Sequence, residues 1–280
     1  MVSAKHKKNI RKSDIVRYAF LGLYVVLIVY PLLFTLMSSF KSNEEIFGSP
    51  WSLPQAFSMT FYKRLFTEFS MHTYFLNSLF YSAVVCLVGL AITTTAAYAI
   101  GRMRWKLSKA VLGLLLTGLM VPMHAIIVPL YILTTRVGIT NRAALMLIFI
   151  ANTIPTSTFM IIGFLKSIPR EIEESAVIDG CSIPKAFARI VCPMLKPTLA
   201  TVTIFNFLGV WNDLLLSLIF LNQETQKTLQ LGIVRFKNAF YTDYNILLSG
   251  IIVGVLPSIL VYLFMSEKII SGISAGAVKG

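Results

Sequence analysis

Asp213 sits deep in an apolar stretch, His124 stands between Pro122 and Pro129, and Glu171, Glu173, Glu174 and Asp179 crowd together in an otherwise oily chain. A buried carboxylate can carry a proton or a cation, and an aspartate with a histidine can serve acid–base chemistry. An enzyme needs convergent nucleophiles, acids or metal ligands, and one aspartate with one histidine does not supply them. His124 reads as a buried, hydrogen-bonded side chain rather than a ligand. Cys86, Cys181 and Cys192 lack C-x-x-C spacing, so they read as small apolar residues with no disulfide framework or metal site. The sequence contains no G-x-x-x-x-G-K-[ST] and hence no backbone cradle for phosphates. No cofactor is expected, and any nucleotide must be held by another protein.

Such residues act only where their elements put them. The chain has 280 residues, is 56% hydrophobic and 13% charged, which is about half the charged share of soluble domains. Its mean hydropathy is +0.75. Runs long enough to cross a bilayer core as a helix recur at 18–37, 75–100, 111–133, 143–165, 198–221 and 246–265. Backbone polar groups cannot go unpaired in lipid, so these runs must be helical. The expected fold is an all-α membrane protein of six transmembrane helices. A basic segment over 1–17 precedes a single membrane domain over 18–280. The first span is long and has no small-residue cleavage site, so no cleaved signal peptide is expected.

The net charge of +13 reports topology rather than nucleic-acid binding, because of where the cations lie. Seventeen Lys and Arg fall in the N-terminal segment, the 101–110 loop, the stretch 166–196 and the tail, against eight in the other connections. The richer side is expected in the cytoplasm of a cell membrane. Both termini and the charged insert 168–197 then lie there.

That insert is built as a helix, a turn and a second helix. Pro169 suits a first helical turn, and Glu171, Glu173 and Glu174 favour the positive end of the helix dipole. Gly180 is placed to end the helix in a left-handed conformation. Ser182 then caps a second short helix through Arg189, stopped by Pro193 and Pro197. Ser175 and Ala176 are small, so a partner surface can approach closely while the acidic rim fixes its position. A helix resting on lipid headgroups would carry Lys and Arg on its polar face, whereas this one begins acidic.

Within the spans, a central carboxylate costs roughly 2.5–3.5 kcal/mol on insertion scales. At 3.6 residues per turn Thr203, Asn206, Gly209, Asp213 and Ser217 share one face, as either a polar pathway wall or interhelical bonding. "NTIPTST" (152–158) sets Pro155 among hydroxyls able to satisfy freed backbone groups. Asn152 and Thr156 therefore join Asn206, Asp213 and Ser217 as pathway candidates. Pro122 and Pro129 suggest a break in the third span, and Gly250 with Gly254 forms a close-packing G-x-x-x-G.

Glu174-Ser175-Ala176, then Asp179-Gly180, Phe187, Ile190 and Pro193, resembles the "EAA" loop of ABC importer permeases, with Ser175 standing for an alanine. "YPLLFTLMSSFKSNEEIF" (30–47), "NSLFYS" (77–82), "VPMHAIIVPLY" (121–131), "WND" (211–213) and the terminal "GISAGAVKG" are similar to carbohydrate importer permeases of the maltose-transporter type, the smaller permease in particular. The resemblance implies the type I ABC importer permease fold, with Glu174, Ser175, Ala176, Asp179, Gly180, Ile190 and Pro193 seated in a cytoplasmic ATPase subunit. It also implies a second homologous permease, two ATP-binding cassette subunits that bind the ATP, and an extracytoplasmic sugar-binding protein probed by the loop 222–245. The cargo implied is a sugar, an oligosaccharide by preference. Gly276 and Lys279 of the tail are implied at the ATPase interface, although "SEK" (266–268) departs from the Gln-Arg common in relatives. The rival class is an ion-coupled secondary transporter using Asp213, which would be expected to show span repeats; none stands out here.

Overall fold

The computed structural model describes residues 12–103, 105–236 and 243–277, and every regular element among them is helical. Two compact units form, one from Met1–Glu68 with Phe236–Val253, the other from Phe69–Arg235 with Gly254–Gly280.

The first unit contains α1 (Lys12–Ser38), α2 (Asn43–Gly48), α3 (Thr60–Thr67) and the start of α14 (Tyr244–Ala277). The most apolar window of α1 is 0% buried within the chain. Ser42 and Glu45 form a reciprocal capping box at the start of α2, satisfying two otherwise orphaned donors. Lys41 is fully buried, and its Nζ donates to the carbonyls of Ser49 and Pro50, both at 3.0 Å. The connection after α1 is therefore folded.

The second unit begins with α4 (Met71–Gly101), an unbroken helix of 31 residues. It is followed by α5 (Ser108–Met120), α6 (Met123–Arg136) and α7 (Asn141–Leu165). The third expected span is thus two helices, bent by 105°. The cause is local: the residue before a proline is pushed out of the helical region, and Val121, before Pro122, sits at φ −87 and ψ 113. Pro129 lies inside α6 and Pro155 inside α7, and both helices run through them.

α4 and α7 run parallel. Near their starts, the Tyr81 hydroxyl donates to the Gln226 carbonyl while the Arg142 amide donates to the Gln226 side chain. At their finishes, Arg102 just past α4 donates to the Leu165 carbonyl that ends α7. The chain must therefore return once between them, so α5 and α6 together make one bent crossing. Where the helices pass, a Cβ on Gly89 of α4 would lie 2.9 Å from the Thr153 hydroxyl of α7. Small residues permit this closeness, which is how helices associate in lipid.

After α7 the insert forms α8 (Glu171–Ile178) and α9 (Ile183–Ala186), then a π-helical segment Phe187–Val191 and the short α10 (Cys192–Met194). A bend of 75° leads into α11 (Lys196–Trp211). The second insert helix therefore does not stop at Arg189 as expected, and Pro193 begins a further helical turn instead of ending one. Pro169 lies just ahead of the α8 N-cap, Arg170, and not within the first turn. The fifth expected span is also interrupted: α11 ends at Trp211 and α12 (Leu215–Phe220) follows after Asn212–Leu214. At 1.5 Å per residue α11 alone spans roughly 24 Å, short of a hydrocarbon core. Among the described residues four helices are long and apolar enough to cross a membrane, or up to six if each bent pair is one span.

Candidate functional site

Two polar regions and one anchoring region emerge in the second unit. At the insert end, α8 stops as its glycine suggested. Gly180 has φ +84, and the Cys181 amide donates to Ala176 O at 2.9 Å while the Gly180 amide donates to Val177 O at 3.0 Å. This paired closure is the Schellman arrangement that favours glycine. Glu174, Ser175, Asp179, Gly180 and Pro193 are exposed, whereas Ala176 and Ile190 are half-buried.

Glu173 turns the other way. Its Oε1 lies 3.0 Å from Arg102 Nε, with side-chain exposures of 7% for the arginine and 13% for the glutamate. Its Oε2 accepts from the Tyr98 hydroxyl at 2.9 Å. Arg102 Nη2 also donates to the carbonyls of Leu165 and Ile168 at 2.7 and 2.6 Å. Arg170 returns the bond, donating to Gly101 O at 3.3 Å. The Tyr98 ring packs on Phe187, centroids 4.7 Å apart. Beneath lie Ile161, Leu165, Val191, Leu195 and Val202, all buried. Between the end of α4 and α8–α9 is a groove of about 530 Å³ whose walls include Glu174, Val177 and Ile178.

The second polar region is a cavity of about 360 Å³ among α6, α7, α11 and α12. It gathers Asn152, Thr156, Asn206 and Asp213 with His124, Thr153, Phe149 and Phe205. Ser217 is not on the wall; it is fully buried and holds Asp213 from behind. Asp213 Oδ1 accepts from the Ser217 amide at 2.9 Å and the Ser217 hydroxyl at 3.1 Å, and Oδ2 accepts from the Leu216 amide at 3.4 Å. The carboxylate thus caps α12, so the expected continuous face from Thr203 to Ser217 is broken at Asn212–Leu214. Asn206 pairs with Ser157 across helices, with donor–acceptor distances of 3.2 and 3.3 Å. His124 is exposed on the cavity wall and not buried, because it lies in the first turn of α6 just beyond the bend.

At the end opposite the insert, one face at the start of α4 grips the segment 224–235. Asn77 Nδ2 donates to the carbonyls of Thr225 and Lys227, both at 2.9 Å. The Ser78 hydroxyl accepts from the Leu229 amide at 2.8 Å, at the start of α13 (Leu229–Val234). Tyr81 supplies the fourth bond, 2.8 Å to Gln226 O. Glu224 receives Lys227 at 2.7 Å and also bonds Tyr74 and Arg235. Hydrogen bonds from Lys227 and Tyr74, with the charge of Arg235, hold the Glu224 carboxyl below the usual range. Beside it, a Cβ on Gly232 would collide with the Tyr74 ring. In the same unit Gly254 meets Ile233, and its carbonyl accepts from Trp211 Nε1 at 2.9 Å.

Arg102, Tyr98, Asn77, Ser78 and Tyr81 were not singled out as site residues from sequence. The polar face at 77, 78 and 81, opening an apolar run, was a signal of the anchor. Nothing local to Arg102 reveals its partner many residues away. Gly276 lies in α14, and Lys279 lies outside the described residues.

Residues 92–266 match the family described as "Binding-protein-dependent transport system inner membrane component". The "Probable ABC transporter permease protein YurM" of Bacillus subtilis (strain 168) is 35% identical over 264 residues, covering 94% of this chain and 88% of that one. The "Diacetylchitobiose uptake system permease protein NgcG" of Streptomyces coelicolor is 32% identical over 272 residues, covering 96% and 90%. In fold, the chain matches one from the crystal structure of a bacterial ABC transporter involved in the import of the acidic polysaccharide alginate. The TM-score is 0.82 at 19% identity, over 93% of this chain and 99% of that one.

Proposed function

The chain belongs to the family of binding-protein-dependent transport system inner membrane components, and on that premise we propose that it is one of two permease subunits of an ATP-driven ABC importer of sugars. The relative named for diacetylchitobiose uptake supports an oligosaccharide cargo. Its partners are a second homologous permease, two ATP-binding cassette subunits that bind and hydrolyse the ATP, and an extracytoplasmic sugar-binding protein. Both termini and the insert face the cytoplasm, on the side rich in Lys and Arg.

One observation carries this reading. α8 and the turn that ends it present Glu174, Ser175, Asp179 and Gly180 to the outside while Glu173 is tied inward to the end of α4. An acidic helix with small exposed residues, held rigidly from behind, fits a groove in a partner. We assign Glu174, Ser175, Ala176, Asp179, Gly180, Ile190 and Pro193 to coupling with the ATPase, with Gly276 and Lys279 near the same interface. Asn152, Thr156, Asn206 and Asp213 line the translocation pathway, and Ser217 supports Asp213. Against the ion-coupled alternative stand the three donors from α12 that engage that carboxylate.

The test uses the whole complex in liposomes with its binding protein. Glu174→Lys, or Gly180→Leu, which would force a bulky side chain to φ +84, should abolish sugar-stimulated ATP hydrolysis while the permease still inserts. Normal transport in both variants would overturn the docking role.

A further inference from the structure

We infer that Tyr98, Arg102 and Glu173 form the joint that sets the angle of the coupling helix α8, acting as positioning residues for Glu174 and its exposed neighbours. The inference rests on the docking reading above and adds to it the residues through which force passes into the membrane helices.

The geometry is economical. Tyr98 and Arg102 are four apart, so they lie one above the other on a single face at the end of α4. The Tyr98 hydroxyl donates to Glu173 Oε2, while the Arg102 guanidinium pairs electrostatically with Oε1 at 3.0 Å, so the carboxylate is held from both sides. Arg102 also donates to the carbonyls of Leu165 and Ile168, closing the end of α7. A guanidinium has a fork of donors that can serve several acceptors at once; an ammonium has no such planar geometry. Three elements therefore meet at one buried cation, and Arg170 braces it by bonding Gly101 O. Successive residues of a helix point about 100° apart, so fixing Glu173 inward fixes Glu174 outward. Rolling α8 under load from a partner would break the charge-assisted Tyr98–Glu173 hydrogen bond and separate the Arg102–Glu173 ion pair. Displacement of α8 is passed instead to the ends of α4 and α7, and α7 lines the polar cavity further along its length at Phe149, Asn152, Thr153 and Thr156.

Charge reversal of the pair is a poor test, because a glutamate at 102 would face the two carbonyls. Glu173→Gln, Arg102→Lys and Tyr98→Phe are suitable, in the reconstituted complex of both permeases, ATPases and binding protein. The readouts are assembly, basal ATPase activity, stimulation by sugar-loaded binding protein, and sugar transported per ATP. The joint predicts that Glu173→Gln and Tyr98→Phe assemble and keep basal activity, while stimulation and sugar per ATP fall by about tenfold, the size of an ordinary coupling free energy. Sugar per ATP within about twofold of the parent in both, or transport falling only in step with assembly, would overturn it. Should Glu173→Gln or Arg102→Lys fail to assemble, Tyr98→Phe, which removes one hydroxyl, decides. Ser175→Cys in a Cys181→Ser background separates the two claims. Its crosslink to an ATPase subunit tests docking itself, and absence of that crosslink with an otherwise active complex would sink the docking reading rather than the joint alone.

Discussion

Asp213 commits both carboxylate oxygens to the helix that follows it, and this explains how an acidic side chain is tolerated in an apolar stretch. N-caps are worth about 1 kcal/mol, and asparagine caps about as well as aspartate. Asp213→Ala should therefore lower the thermal midpoint of the purified complex by a few degrees, about 1 kcal/mol in stability. Asp213→Asn should stay close to the parent, and ATP-driven uptake should show no dependence on an ion gradient. Equal damage from Asn and Ala would point to the charge itself. That Asp213 lies in an apolar stretch could be read from sequence, but its role could not: Trp211-Asn212-Asp213 lacks glycine and proline, the usual marks of a break. The readable hint was that Asn and Asp side chains compete for nearby backbone donors. Gly180 was legible because only a left-handed turn needs glycine there. His124 was misjudged because the bend at Pro122 opens its surroundings.

Among elements, prolines alone did not tell where helices break. Pro122 bends the third crossing while Pro129 and Pro155 are carried inside continuous helices; packing decides between them. The insert was legible as two helices about a glycine turn, but its π-helical exit was not, since π turns have no strong local code. The segment 224–235 is ordered through contacts with α4 that only the fold creates. Its acid response follows from Glu224, whose carboxyl is held low by Lys227, Tyr74 and Arg235. A depressed carboxylate adds stability above the ordinary glutamate value of about 4.3, and loses it as the pH falls through the lowered value. Protection from hydrogen exchange across 224–235, relative to the intrinsic rate at each pH, should thus be steady from neutral pH to about pH 5 and fall below about pH 4. Glu224→Gln should flatten that response, and an unchanged response would show that another group governs it.

For the whole molecule, the cation count divides the connections in the way the parallel run of α4 and α7 demands. The 101–110 loop and the insert share one end, and residues 136–142 and 222–235 share the other. Single cysteines in sealed vesicles test this division. Lys109→Cys and Lys185→Cys should react only from the cytoplasmic side, and Thr140→Cys and Gln223→Cys only from the opposite side. Labelling of Thr140→Cys from the cytoplasm would turn the α5–α6 pair from a bent crossing into a re-entrant loop. The all-helical, multi-span character was legible because lipid imposes it on composition. The joint at Arg102 was not, because its partners are brought together by packing far along the chain.

The 31 residues of α4 carry a latch at each extremity, with Asn77, Ser78 and Tyr81 near one and Tyr98 with Arg102 at the other. A helix keeps phase along its axis, so one added residue midway would twist one latch by about 100° relative to the other and advance it only about 1.5 Å. Azimuth, far more than length, is what this shaft holds constant between the two faces of the membrane.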